Sequence, residues 1–139
     1  MIGDTKHQEQ LPTLGTQAER IRTITEADIV DFAQVSGDHN PLHLDPHYAA
    51  QTPFGGRIAH GFLTASIISA ILGTELPGPG SIYLGQTLKF LAPVRVGDTV
   101  TVRVEVVAIR EEKRIVTLRT DCINQHGVLI LTGEATVKC

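Results

Sequence analysis

Asp38 and His43 stand five positions apart in Ser36-Gly-Asp-His-Asn-Pro-Leu-His-Leu-Asp-Pro46, a stretch whose glycine and two prolines rule out a simple helix or strand. A carboxylate and an imidazole held on such a loop, beside the Asn40 amide and a rigid Pro41, can orient one water molecule between them. Water is a weak nucleophile, so its attack on carbon needs a base to take its proton as the bond forms, and either group can serve. The residues alone do not divide that work between Asp38 and His43, and two such groups titrate as a coupled unit. A plainer reading stands beside this one: Asp38 can cap a local turn through its own backbone, and Asn40 before Pro41 is ordinary loop composition.

The elements that must hold this pair can be read from the same chain. Thr25 with Asp28 three residues on has the form of a capping box, Ile29, Phe32 and Ala33 give one apolar helical face, and Gly37 ends the helix. The Asp38 loop therefore begins at a helix C-terminus. Asp45-Pro46 reads as an N-cap with proline at the first helical position, starting a short turn over His47 to Gln51. Between Ile58 and Thr74 there is no Asp, Glu, Lys or Arg, and apolar residues fall on every side of the wheel from Phe62 to Leu72, which predicts a buried helix. It is shorter than the roughly 20 apolar residues of a membrane span and contains Gly61, Thr64, Ser66 and Ser69. Gly61, where the helix begins, offers unpaired N–H groups to a developing anion. Leu76-Pro-Gly-Pro-Gly80 is turn chemistry.

Gln17 to Thr23 is a candidate early strand, and everything after Ser81 reads as strand. Val100, Val102, Val104 and Val106 alternate with Thr101, Arg103 and Glu105, and Glu111-Glu112-Lys113 and Gln125-His126-Gly127 separate the runs that follow. One early strand, a buried helix and a four-strand meander make an α+β domain in which an antiparallel sheet wraps around a long buried central helix. Met1 to Gln10 is polar and aperiodic, an expected mobile tail, which leaves residues 11–139 as a single domain.

Composition bounds the function. Of the 139 residues, 42% are hydrophobic and 19% charged, as in a globular protein, and a net charge of −3 argues against a general nucleic-acid binder. Two cysteines, Cys122 and Cys139, form neither a disulfide framework nor a zinc spacing, and no basic-then-apolar leader opens the chain, so the expected compartment is the cytoplasm. His39, His43 and His47 recur every four residues, but Pro41 and Pro46 break the helix that would align them, so no metal is expected.

Gly37-Asp38-x-Asn40-Pro41-x-His43, followed by Gly56-x-Ile58-x-His60-Gly61 at the start of the apolar helix, resembles the MaoC-like hydratases, specifically the short (R)-specific enoyl-CoA hydratases. Gly80-Ser-Ile-Tyr-Leu-Gly-Gln86 and Pro93-Val-Arg-Val-Gly-Asp98 extend the likeness, which runs from about Ile24 to the C-terminus. The resemblance implies a hot-dog fold, a homodimer with active sites near its interface, and (R)-specific hydration of trans-2-enoyl-CoA in fatty acid or polyhydroxyalkanoate metabolism, with no cofactor beyond the CoA of the substrate. It puts the catalytic pair on Asp38 and His43, the oxyanion donor on the Gly61 N–H, and an ancillary hydroxyl on Ser69. Asn40 and His60, inside the same motifs, are candidate substrate contacts. His60 can instead help close the helix N-terminus, and Ser69 can bond back within its helix. Arg57, Lys89 or Arg95 are candidate phosphate partners, with surface solvation the alternative for each. Three other functions remain: a 3-hydroxyacyl-ACP dehydratase, a hot-dog acyl-CoA thioesterase, and a non-catalytic acyl-CoA-binding module. The thioesterase is disfavoured because the central helix has no carboxylate before Glu75.

Overall fold

The computed structural model describes residues 10–139; most of the expected tail, residues 1–9, lies outside them. The first strand, β1, spans Gln17–Thr23, and helix α1 spans Glu26–Ser36. Its capping box is complete: the Asp28 N–H donates to Thr25 Oγ1 at 3.2 Å and the Thr25 N–H to Asp28 Oδ2 at 3.0 Å. That backbone bond is the largest cause holding the Asp28 carboxyl below its ordinary pKa. At the other end Gly37 takes φ 80° and its N–H closes on the Ala33 carbonyl, turning the chain out of the helix.

The following segment differs from the expectation of a plain loop at Pro41–Leu44, whereas the turn expected after the Asp45 cap forms. Pro41 begins a helical turn, α2, Pro41–Leu44, and Pro46 begins a second, α3, Pro46–Ala50. Both prolines sit where the missing N–H would be unpaired anyway, so each can start a helical turn. Asn40 Oδ1 caps α2 by accepting the Leu42 N–H at 3.0 Å, and Asp45 Oδ1 caps α3 by accepting from His47 and Tyr48.

Helix α4, Gly61–Thr74, carries the core residues Ile67, Ile68, Ile71 and Leu72. It is not buried all round, as its lack of charge predicts. Phe62, Ser66, Ser69 and Gly73 form an exposed stripe at spacings of four, three and four.

The sheet contains β2 (Ile82–Gln86), β3 (Lys89–Phe90), β4 (Thr99–Arg110), β5 (Ile115–Asn124) and β6 (Leu129–Lys138). All pairings are antiparallel, in the order β1-β4-β5-β6-β2, with β3 also on β6. The expected meander is therefore one of three strands, β4 to β6. The fourth strand pairs with β6 because β1, in register from Gln17↔Glu105 to Thr23↔Thr99, already occupies the free edge of β4. The four alternating valines of β4 are buried at 0–1% exposure and join α4 in one core cluster. The architecture is the α+β hot-dog fold, a sheet around a central helix. Among the described residues, no helix is long and apolar enough to cross a membrane.

Candidate active site

Three chain segments meet at the first turn of α4. The turn at Gly37 delivers Asp38, exposed at the mouth, and α2 delivers His43, which is 8% exposed. The third is the tetrapeptide Ile58-Ala-His-Gly61, anchored by the Ala59 N–H donating to the Val94 carbonyl at 2.7 Å and by an antiparallel bridge between Ile58 and Arg95. His43 Nδ1 lies 2.7 Å from the Ile58 carbonyl. A carbonyl only accepts, so Nδ1 carries the proton and the Nε2 lone pair is left to receive one. His60 Nε2 likewise donates to the Asp38 carbonyl at 3.0 Å, and its ring lies against that of His43, with centroids 3.9 Å apart and planes 32° apart. His60 is 2% exposed, and burial, the largest cause, pushes its pKa down, so its imidazole is neutral near pH 7. Asp38 Oδ1 accepts the Asn40 N–H at 3.1 Å, so this carboxylate does cap its local turn.

Asp38, His43 and His60 each place an oxygen or nitrogen within 4.8 Å of the others. These residues, with Phe32, Ser36, Gly61 and Phe62, line a cavity of about 210 Å³. Gly61 opens α4, and its N-cap, His60, makes no side-chain hydrogen bond to the first turn; the Leu63 N–H donates to the His60 carbonyl at 3.1 Å, which leaves the Gly61 and Phe62 N–H groups for an acceptor. Glycine at 61 lets a ring approach closely: a Cβ there would lie 2.6 Å from Cε1 of Phe90, so a larger residue would have to displace that side chain. Two larger apolar grooves adjoin the site and share Phe62 and Phe90: one of about 410 Å³ reaching Phe54, Thr64 and Leu131, the other of about 750 Å³ reaching Ser69, Tyr83 and Leu88.

A carboxylate, a proton-accepting imidazole and open helix N–H groups around one small cavity are the parts of a water-adding site. Residues 9–126 match the family described as MaoC like domain. This chain belongs to the MaoC-like family. It is 53% identical over 125 residues to the "(R)-specific enoyl-CoA hydratase" of Aeromonas caviae, covering 90% of this chain and 93% of that protein. It is also 53% identical over 117 residues to the "3-hydroxybutyryl-CoA dehydratase" of Methylorubrum extorquens, covering 84% of this chain and 74% of the relative. The solved structure of an (R)-hydratase from A. caviae involved in PHA biosynthesis superposes with a TM-score of 0.90 at 52% identity, over 93% of this chain and 98% of that one.

Within this MaoC-like site, Asp38, His43, His60 and Gly61 come together, while two other expected residues do not join them. Asn40 spends its carbonyl oxygen on capping α2. Ser69 lies about 12 Å along α4 from Gly61, given 1.5 Å of rise per residue, and lines the larger groove. Neither His39 nor His47 approaches His43 as a ligand: His39 Nδ1 donates to the Gly37 carbonyl at 3.0 Å, and His47 Nε2 accepts from Gln51 at 3.4 Å. The metal-capable set is instead Asp38, His43 and His60. Of the candidate phosphate partners, Arg57 pairs with Glu26 at 2.9 Å, whereas Lys89 and Arg95 are exposed. The Ile58 carbonyl was not foreseen, since a backbone acceptor has no side-chain signature. Phe62 and Phe90 were missed as groove walls; the aromatic directly after Gly61 was the available signal.

Proposed function

We propose that this MaoC-like protein adds water across the double bond of trans-2-enoyl-CoA to give (R)-3-hydroxyacyl-CoA, and catalyses the reverse dehydration. The observation that carries the reading is His43, its Nδ1 held by the Ile58 carbonyl so that Nε2 is left for proton transfer, meeting Asp38 at a cavity bounded by Gly61. The Asp38/His43 pair takes one proton from water as the oxygen attacks the β-carbon. The electron pair of the double bond moves to the thioester, whose oxygen becomes negative and is met by the Gly61 N–H, a donor of the kind worth about 3 kcal/mol in a transition state. The α-carbon then receives the proton from the same pair, completing a syn addition. No oxidation state changes overall, so the residues suffice without a cofactor. The two grooves flanking Phe62 leave room for a thioester to extend both ways from the reacting carbons, acyl chain in one direction and pantetheine in the other. Free Cys122 and Cys139 suit a reducing compartment such as the cytoplasm.

The test follows loss of enoyl-thioester absorbance over a chain-length series, with chiral analysis of the product. Hydration of CoA thioesters to the (R)-alcohol is expected. An (S)-product, free CoA thiol released without hydration, or zinc or iron retained stoichiometrically after exhaustive dialysis would each overturn the reading. Faster turnover of carrier-protein thioesters would move it to the 3-hydroxyacyl-ACP dehydratase.

We propose further that the protein works as a homodimer. β2 is the outer strand of the sheet, and exposed Ile82, Leu84, Phe90 and Leu91 lie along this edge, near the exposed Phe62 of α4. An apolar sheet edge beside an apolar helix stripe is a surface that a second copy can cover, and that copy would roof the Ser69 groove. Light scattering should give twice the chain mass; a monomer at micromolar concentration would exclude this arrangement.

A further inference from the structure

We infer that His60 is a positioning residue that locks the Asp38 loop and the His43 ring into one unit. The inference rests on the hydration reading above and replaces substrate contact as the role of this histidine.

The loop at residues 37–40 is otherwise tied only to its neighbours along the chain: to itself, to the helix it leaves, and to the turn it enters, where Asn40 accepts the Leu42 and His43 N–H groups at 3.0 Å. The Gly37 N–H reaches back to Ala33, the Asp38 N–H to Ser36 Oγ at 3.1 Å, His39 to Gly37, and the Asn40 N–H to Asp38. Among the described residues, the hydrogen bond from His60 Nε2 to the Asp38 carbonyl, spanning 22 positions, is the one that joins this loop to the Ile58–Gly61 segment. Nor does the His60 side chain secure the start of its own helix, since it makes no capping bond there. Its ring is packed between Phe32, with centroids at 4.9 Å, and His43, at 3.9 Å. One buried imidazole thus fixes the backbone of the carboxylate and the face of the base.

The neighbours of His60 in sequence complete the arrangement. The Ile58 carbonyl selects the His43 tautomer, His60 holds Asp38, and Gly61 supplies the free N–H, so one anchored tetrapeptide sets the spacing of all three reacting groups. A neutral His60 suits this place. With Nε2 donating, its Nδ1 is a buried lone pair without a partner, and no second cation is set against His43 when that ring takes up a proton.

Two substitutions separate the bond from the ring. His60→Phe keeps an aromatic ring against His43 and removes the donor; His60→Gln keeps an amide donor near the Nε2 position and removes the ring. The Phe variant should lose kcat on the order of 10²-fold, the scale of a misplaced catalytic group. Its KM should stay within about threefold, because the substrate contact is unchanged. The Gln variant should recover about tenfold of that loss, because the donation to the Asp38 carbonyl that places the loop is restored. A Phe variant with parental kcat, a loss carried by KM, or equal losses in both variants would overturn the brace. Nitrogen NMR of the unmodified protein gives a readout that needs no variant to fold: His60 should be neutral with the proton on Nε2, and a proton on Nδ1 instead would sink the inference. If the parent protein lacks hydratase activity, the hydration reading fails on its own, while the NMR result still decides whether the brace exists.

Discussion

Asp38→Asn and His43→Gln should each lower enoyl-CoA hydration by a factor on the order of 10²–10⁴ while the fold survives, because each removes proton transfer at the attacking water. Asn in place of Asp38 keeps the shape and an oxygen able to accept the Asn40 N–H, so the turn at the end of α1 need not change. What is lost is the negative charge beside the water. Gln in place of His43 removes the free nitrogen lone pair and the donation to the Ile58 carbonyl. That bond should cost stability by only about 1 kcal/mol, which moves the melting temperature by a few degrees. Activity and stability therefore separate, and kcat with circular dichroism on the same samples reads both. If the two groups handle one proton as a pair, the double variant should be little worse than the poorer single one, as for residues acting as a unit. Unchanged turnover in either single variant would remove that residue from the mechanism.

The features legible in the sequence were those decided by local physics. The capping box at Thr25 and Asp28, the left-handed stop at Gly37 and the alternating valines of β4 each depend on residues a few positions apart, and each formed where its pattern lay. Strand order did not follow from pattern, because the free edge of β4 was contested between a sequence-near strand and β1, and only the assembled sheet resolves that contest. The uncharged run of α4 shows the same limit. Absence of charge reports that water is scarce around a helix, whether a core or an apolar groove displaces it, and here it is core on one side and the Phe62–Ser69 stripe on the other. In the site, Asp38, His43 and Gly61 were readable by residue type and spacing. The proton on His43 Nδ1 was not, since the Ile58 carbonyl that holds it is a backbone atom. The hydrogen bond of His60 was likewise hidden, because its partner is the main chain of Asp38 and not its carboxylate.

The largest stability effect should come from a residue far from this chemistry, Gly133 in β6. A Cβ built there overlaps the Thr87 carbonyl oxygen and lies 2.7 Å from the Thr87 carbonyl carbon. Both are backbone atoms, so no rotamer change relieves the clash. The Thr87-Leu88 link between β2 and β3 is pressed onto β6 at this point. Its Thr87 N–H donates to the Glu134 carbonyl at 2.9 Å, Thr87 Oγ1 accepts the Glu134 N–H at 3.0 Å, and Gln86 Nε2 bridges the Thr87 carbonyl and Thr120 Oγ1. Fitting even a methyl group lifts the link and breaks the two Thr87–Glu134 bonds at about 1 kcal/mol each, on top of about 1 kcal/mol of overpacking. Gly133→Ala should therefore destabilise by about 3 kcal/mol, a fall of roughly 10 °C in melting temperature for a domain of this size. Gly85→Ala is the control, on the same sheet edge but with no atom within 4 Å of its Cβ position, and should melt within a few degrees of the parent. The displaced link also carries Phe90, whose ring rests on Gly61, so whatever fraction of the Gly133 variant folds should hydrate more slowly than the parent. A Gly133→Ala protein that melts with the control and turns over normally would mean that the β2–β3 link moves freely and plays no part in setting the wall at Gly61.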